Sequence, residues 1–161
     1  MPFQPKGATI NFSHIDKEGA ARMVDVGEKA VVRRTAKANG RVSMSVETVR
    51  LLKGKALPKG DALNTARIAG VMAAKKTPEL IPLCHGINLT STDLDFEVHD
   101  DGISITAVSR ANDRTGVEME ALTAVSVAAL TLYDMCKAVD KEMVIGEIRL
   151  VEKTKEEVPS A

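Results

Sequence analysis

Tryptophan is missing from this chain, and the other aromatics are three phenylalanines and one tyrosine, 2% of the residues. A core built from such a sequence has to be aliphatic, filled by Ala and Met. It also offers no aromatic platform on which the bases of a single-stranded nucleic acid would stack. An excess of either charge is missing too: Lys plus Arg and Asp plus Glu each number 22, for a net charge of zero. Proteins that coat nucleic acid carry a basic excess, so the balance argues against a nucleic-acid partner. An anionic small molecule stays open, because only local charge matters there.

Cysteine is limited to Cys84 and Cys136, far apart and in no CxxC pattern. They read as reduced thiols of a cytoplasmic protein. A zinc site built from Cys84, His85, Cys136 and another histidine finds no supporting spacing. There is no Walker loop and no GxGxxG fingerprint, and no carboxylate cluster that would mark a dedicated metal site. The opening MPFQPKGATINF holds two prolines and no hydrophobic run, unlike a secretory signal. No unbroken apolar run approaches the ~20 residues that span a bilayer, so no membrane association is expected.

What is present suits one domain. At 161 residues and 44% hydrophobic content, the chain can bury a sizeable core without disulfides. Residues 1–12 read as a flexible tail, 13–152 as a single α+β domain, and 153–161 as a charged C-terminal tail. His14 to Val26 suggests a turn and then a short strand. Lys29, Arg33, Arg34, Lys37 and Arg41 form a basic cluster, either a solvated face or an anion-facing patch. Ser45 is a candidate cap for a short helix. Pro58 and Gly60 then make an exposed turn around Lys59. Asp61 caps the next helix, on which Leu63, Ile68, Val71 and Met72 suit a buried side. Pro78 and Pro82 set Leu83-Cys84-His85 in a non-helical turn. Alternation from Ile87 to Ala107 around Asp100-Asp101-Gly102 predicts an antiparallel hairpin. A long helix over Gly116 to Lys141 and a final strand over Glu142 to Val151 complete the chain. This segregated order predicts an α+β fold, with helices packed on one face of a mainly antiparallel sheet.

The long helix carries polar groups at its ends and an apolar middle. Asp134 and Lys137 share a face at i,i+3 spacing, with Lys141 four residues on. They form either an ordinary surface ion pair or an acid/base group. A lysine serves as acid or base near neutrality only when burial or neighbouring cations depress its pKa. Lys141 would help that, and Asp134 would oppose it. Glu118 and Glu120 either complement the helix dipole or face a ligand. Glu120 and Asp134 lie roughly 21 Å apart along such a helix, too far for one compact centre. Only one end works, or the ligand is long, or a second subunit brings the opposite end alongside. Lys59 is either a surface lysine or one displayed by its turn. His85 is either a capping or core histidine or a neutral-pH proton shuttle.

MVDV, KGD…TARIAG, LIPLCH, TGVEMEALTA, YDMCKA and MVIG, in this order over about residues 14–151, resemble the molybdenum cofactor biosynthesis protein C family, the cyclic pyranopterin monophosphate synthases. The resemblance implies a ferredoxin-like α+β fold and a homohexamer, a trimer of dimers with sites at subunit interfaces. It implies a lyase that converts 3′,8-cyclo-7,8-dihydro-GTP to cyclic pyranopterin monophosphate and releases pyrophosphate. On the matching motifs Asp134, Lys59 and Lys137 are similar to the family's catalytic residues. Leu83, Cys84, His85, Met119 and Glu120 match substrate-binding positions, and Glu118 and Arg34 match further members of the pocket. No cofactor is implied, beyond magnesium as an optional counter-ion of the triphosphate. The rival reading is an oligomeric carrier that holds a pterin or nucleotide without transforming it.

Overall fold

The computed structural model describes residues 15–16 and 18–158. The tail expected over residues 1–12 lies outside them, as does His14. The central strand is β1 (Val32–Ser43), where Val32, Ala36, Ala38 and Val42 are buried and Arg33, Lys37 and Arg41 fall between them. After it come α1 (Val46–Lys53), α2 (Ala62–Lys75) and a single turn, α3 (Thr77–Leu80). The hairpin β2 (Leu89–His99) and β3 (Gly102–Asp113) follows, then α4 (Glu118–Cys136) and β4 (Val144–Glu156). All pairings are antiparallel and the sheet order is β2-β3-β1-β4. Helices α2 and α4 pack on each other and against one face of the sheet. This is the ferredoxin-like α+β arrangement that the resemblance implies.

Local chemistry sets the element boundaries. Ser45 caps α1, its Oγ accepting from the Thr48 amide at 3.2 Å, and Asp61 caps α2 by accepting from Asn64 N at 3.0 Å. Both caps match the sequence reading. The turn after α1 folds back on the helix, with Ala56 N donating to Leu51 O at 2.9 Å. It closes at Gly60, whose φ of +91° falls in the left-handed region glycine tolerates. Lys59 therefore sits in a defined loop.

Four expectations are corrected. The strand expected near Met23–Val26 does not form; that segment runs as loop, and the basic cluster from Arg33 to Arg41 lies on β1 instead. Residues such as Ala and Gly mask the strand signal there, because they rank low in strand propensity. On α2 the buried side is Ala62, Ala66, Gly70, Ala73 and Ala74, while Ile68 and Met72 are 62% and 54% exposed. Small residues win because α2 lies tight against α4. Helix α4 ends at Cys136, so Lys141 lies beyond it and not on the Lys137 face. Strand β4 runs to Glu156, so residues 153–156 are sheet rather than tail.

Helix α4, with 19 residues, is long and apolar enough by composition to cross a bilayer, which the search for unbroken apolar runs missed. Its Ala121, Ala124, Val125, Ala128, Ala129 and Leu132 are fully buried in this fold, which makes it the core helix. Gly70 is one of the tight points of that core. A β-carbon there would lie 2.5 Å from Leu94 Cδ2 and 3.0 Å from the Ala124 carbonyl oxygen. Gly70→Ala, although it raises helix propensity, is expected to cost about 1–3 kcal/mol through overpacking. Gly86→Ala, where a β-carbon meets nothing within 4 Å, should leave thermal unfolding almost unchanged. Equal melting temperatures for the two variants would refute the close approach.

Candidate active site

Two groups of side chains stand at the two ends of α4. At its C-terminal end Asp134 is bridged on both oxygens. Oδ1 accepts from Lys137 Nζ at 2.7 Å and Oδ2 from Lys59 Nζ at 2.8 Å. The i,i+3 spacing brings Lys137 to the carboxylate, and the α1–α2 turn delivers Lys59. Lys137 first, and then Lys59, hold the Asp134 carboxyl down at about 2. The same carboxylate raises the pKa of Lys137. All three side chains remain about half exposed, and with Tyr133 and Lys141 the lysines border an open concavity of about 440 Å³. Lys141 returns here through the backbone: its carbonyl accepts from Tyr133 Oη at 3.4 Å.

At the N-terminal end Leu83, Cys84, His85, Glu118, Met119 and Glu120 line a cavity of about 430 Å³, together with Lys29. The Pro78–Pro82 segment presents the first three as the sequence suggests. His85 Nε2 donates to the Val24 carbonyl at 2.7 Å, which fixes the loop that did not become a strand and assigns that nitrogen its proton. Glu120 is only 3% exposed. Burial drives its carboxyl up to about 7, against a backbone hydrogen bond that lowers it, and the charges of Glu118 and Asp113 add to the rise. Burial also pushes the Cys84 thiol up, with Glu120 adding to it. Cys84 is thus a neutral wall of the cavity rather than a thiolate.

Glu118 lies between this cavity and a smaller one of about 260 Å³ that contains Arg34 and Lys153. Its Oε1 accepts from Lys153 Nζ at 3.2 Å. Arg34 donates through Nη2 to the Arg114 carbonyl at 3.0 Å and through Nε to the Asp113 carbonyl at 3.4 Å, ordering the loop that leads to Glu118. The sequence reading missed Lys153 because it treated residues 153–161 as tail. Residues 152–156, Glu-Lys-Thr-Lys-Glu, carry no apolar alternation, so no local signal marked them as strand. Arg67 lies away from both groups: it donates to the Leu94 carbonyl and sits 5.3 Å from the Phe96 ring centroid.

The two groups do not meet within one chain, since α4 carries them at its opposite ends, with Glu120 and Asp134 roughly 21 Å apart. Cys136 is buried in the core while Cys84 lines the cavity, so the zinc set considered above is not assembled. Among the described residues no group of three or more His, Cys, Asp or Glu side chains is placed to hold a metal ion.

Two outcomes follow. A β-carbon on Gly116 would collide with the Glu118 carboxylate, so Gly116→Ala should swing Glu118 away and break its contact with Lys153, visible in a crystal structure of the variant. An unmoved Glu118 would refute the packing argument. Glu120 holds its proton more tightly folded, at about 7, than at its ordinary 4.5. Its contribution to stability is therefore fully present below pH 4.5 and is lost as pH rises through 7. Glu120→Gln should remove that decline, a difference on the order of 3 kcal/mol across the window. Parallel stability–pH curves for the two proteins would refute it.

Comparison with known proteins covers the same ground. The profile of the MoaC family matches residues 23–156. A cyclic pyranopterin monophosphate synthase of Streptomyces coelicolor is 61% identical over 142 residues, 88% of this chain and 84% of that protein. Cyclic pyranopterin monophosphate synthase 2 of Mycobacterium bovis is 60% identical over 141 residues, again 88% and 84%. A molybdenum cofactor biosynthesis bifunctional protein of Chlorobaculum tepidum is 57% identical over 145 residues, 90% of this chain and 46% of that protein. The family match takes in both ends of α4, the Lys59 turn and the strand that carries Lys153, and the chain belongs to the MoaC family.

Proposed function

We propose that this protein is a cyclic pyranopterin monophosphate synthase, a lyase of molybdenum cofactor biosynthesis. It converts 3′,8-cyclo-7,8-dihydro-GTP to cyclic pyranopterin monophosphate and releases pyrophosphate. The observation that carries the reading is the bridge Lys59–Asp134–Lys137, in a chain 61% identical to a protein of that name. The conversion needs proton transfers during ring opening and pterin formation, and attack of a ribose-derived hydroxyl on the α-phosphate. In this reading Lys59 and Lys137 donate and return protons, and Asp134 orients both. Leu83, Cys84, His85, Glu118, Met119 and Glu120 hold the substrate, with a carboxylate accepting from the N–H edge of the guanine-derived ring. Arg34 supplies positive charge at the pocket. Magnesium enters only as a counter-ion of the triphosphate.

A homohexamer, a trimer of dimers, completes the reading, since a neighbouring copy can bring the N-terminal end of one α4 against the C-terminal end of another. Exposed Val144, Ile148, Leu150 and Val151 on β4, and Ile68 and Met72 on α2, suit burial between copies. A cytoplasmic location accords with the reduced cysteines. Pyrophosphate release, read as phosphate after pyrophosphatase, tests the proposal. Wild-type protein should turn over the cyclised substrate. Lys59→Ala and Lys137→Ala, shown by light scattering to keep the assembly, should each lose about 10²–10⁴-fold in kcat. Stoichiometric binding without pyrophosphate release would overturn the reading in favour of a carrier.

A further inference from the structure

Asp140 is a carboxylate outside both clusters, and it is only 8% exposed. It follows the end of α4, where its backbone amide donates to the Cys136 carbonyl at 3.1 Å. Its side chain leaves that helix and reaches the start of α1. Oδ2 accepts from the Ser45 amide at 2.9 Å and from the Thr48 hydroxyl at 3.1 Å. Oδ1 accepts from the Glu142 amide at 3.0 Å, just before β4. The Ser45 amide hydrogen bond leads the causes that hold Asp140 below the ordinary carboxylate range, so it bridges these donors as an anion. One buried carboxylate thus joins the end of α4, the beginning of α1 and the entry to β4.

The same two helices carry the two halves of the Asp134 bridge. Asp134 and Lys137 belong to the end of α4. Lys59 belongs to the turn that follows α1, and that turn is hydrogen-bonded back onto α1 through Gly54, Lys55 and Ala56. Leu57, two residues before Lys59, is buried in the core and anchors the loop from below. A shift of α1 relative to α4 therefore reaches the 2.8 Å contact between Lys59 Nζ and Asp134 Oδ2. We propose that Asp140 is a positioning residue for the reacting cluster, setting the distance between Lys59 and Asp134 through α1. This rests on the reading of Lys59, Asp134 and Lys137 as that cluster.

Asp140→Asn is the informative change. An amide has one acceptor oxygen where the carboxylate has two. If that oxygen faces Ser45 and Thr48, the amide nitrogen meets the Glu142 N–H; if it faces Glu142, the nitrogen meets the Ser45 N–H. Either way a donor loses its acceptor, and the clamp opens on one side. Measured in the intact protein well below its melting temperature, Asp140→Asn should lower kcat roughly ten- to a hundredfold with KM within about twofold, as a displaced catalytic group does. It should add little to the loss already caused by Lys59→Ala. Independent of turnover, trace acetylation with acetic anhydride, read by mass spectrometry, should label Lys59 several-fold faster in Asp140→Asn, with the exposed Lys75 and Lys76 at the end of α2 unchanged as internal standards.

Thr48→Val removes a single donor of the clamp and should shift Lys59 labelling in the same direction by less, which serves if Asp140→Asn does not fold. Unchanged Lys59 labelling in the folded variant, or a kcat loss that multiplies in full with that of Lys59→Ala, overturns the inference. Wild-type protein that releases no pyrophosphate overturns the proposed reaction instead, and the labelling still decides whether Asp140 positions Lys59.

Discussion

The contact between α2 and α4 is the constraint on which the rest of the molecule depends. Helix α4 is apolar through its middle because it packs on both the sheet and α2, and it is built of small residues because α2 comes close. A methyl group on Gly70 would crowd the Ala124 carbonyl at 3.0 Å and collide with Leu94 at 2.5 Å. A helix committed to the core in this way can carry polar chemistry only where it emerges, at its ends. That is where Glu118 and Glu120, and Asp134 and Lys137, are found. The separation of the two clusters is thus a consequence of how the core is packed. In the proposed hexamer, copies packed against each other would bring unlike ends of α4 together.

The two ends differ in electrostatic character. At the C-terminal end the groups are exposed and paired: Asp134 is held at about 2 by Lys137 and Lys59, and Lys137 is raised in return. These are fixed charges over the whole physiological range. At the N-terminal end the helix dipole would favour an ionised carboxylate, yet Glu120 is raised to about 7. Burial outweighs the favourable backbone term, and the neighbouring carboxylates of Glu118 and Asp113 push in the same direction. One end of α4 therefore offers permanent charge, and the other offers a group that exchanges a proton near neutrality.

Much of this was legible before the structure. The caps Ser45 and Asp61 and the hairpin turn at Asp100-Asp101 are local signals, and they stand where the residues place them. Leu83-Cys84-His85 in its turn and Asp134 beside Lys137 are likewise short-range facts. The misses share a different cause. Strand β1 was hidden because Ala36, Ala38 and Gly40 owe their place to long-range pairing on both sides rather than to propensity. Ile68 and Met72 were assigned to the buried side of α2 by size, whereas the packing selects for smallness. Lys153 was lost with the end of β4, where an all-polar run on an edge strand looks like solvated tail. The meeting of Lys59 with Asp134 was beyond spacing altogether, since the two residues approach only through the tertiary fold. Family resemblance supplied them as companions, and the geometry supplies the contact.

The electrostatics also narrow the division of labour within the proposed reaction. A carboxylate held at about 2 has little capacity to take a proton at neutral pH, so Asp134 acts as a holder of the lysines rather than as a base. Lys137, raised by that carboxylate, enters as a charged donor suited to a leaving phosphate or a protonated ring nitrogen. In the proposed reaction the Asp134–Lys137 pair therefore enters charged, with a proton on Lys137 to give. The opposite cluster contains groups of the kind that take one. Glu120 stands near 7, and His85, with Nε2 committed to the Val24 carbonyl, keeps Nδ1 for a substrate. In the proposed reaction acid and base functions fall to the two ends of α4, and the proposed hexamer is the arrangement that would give a single substrate both.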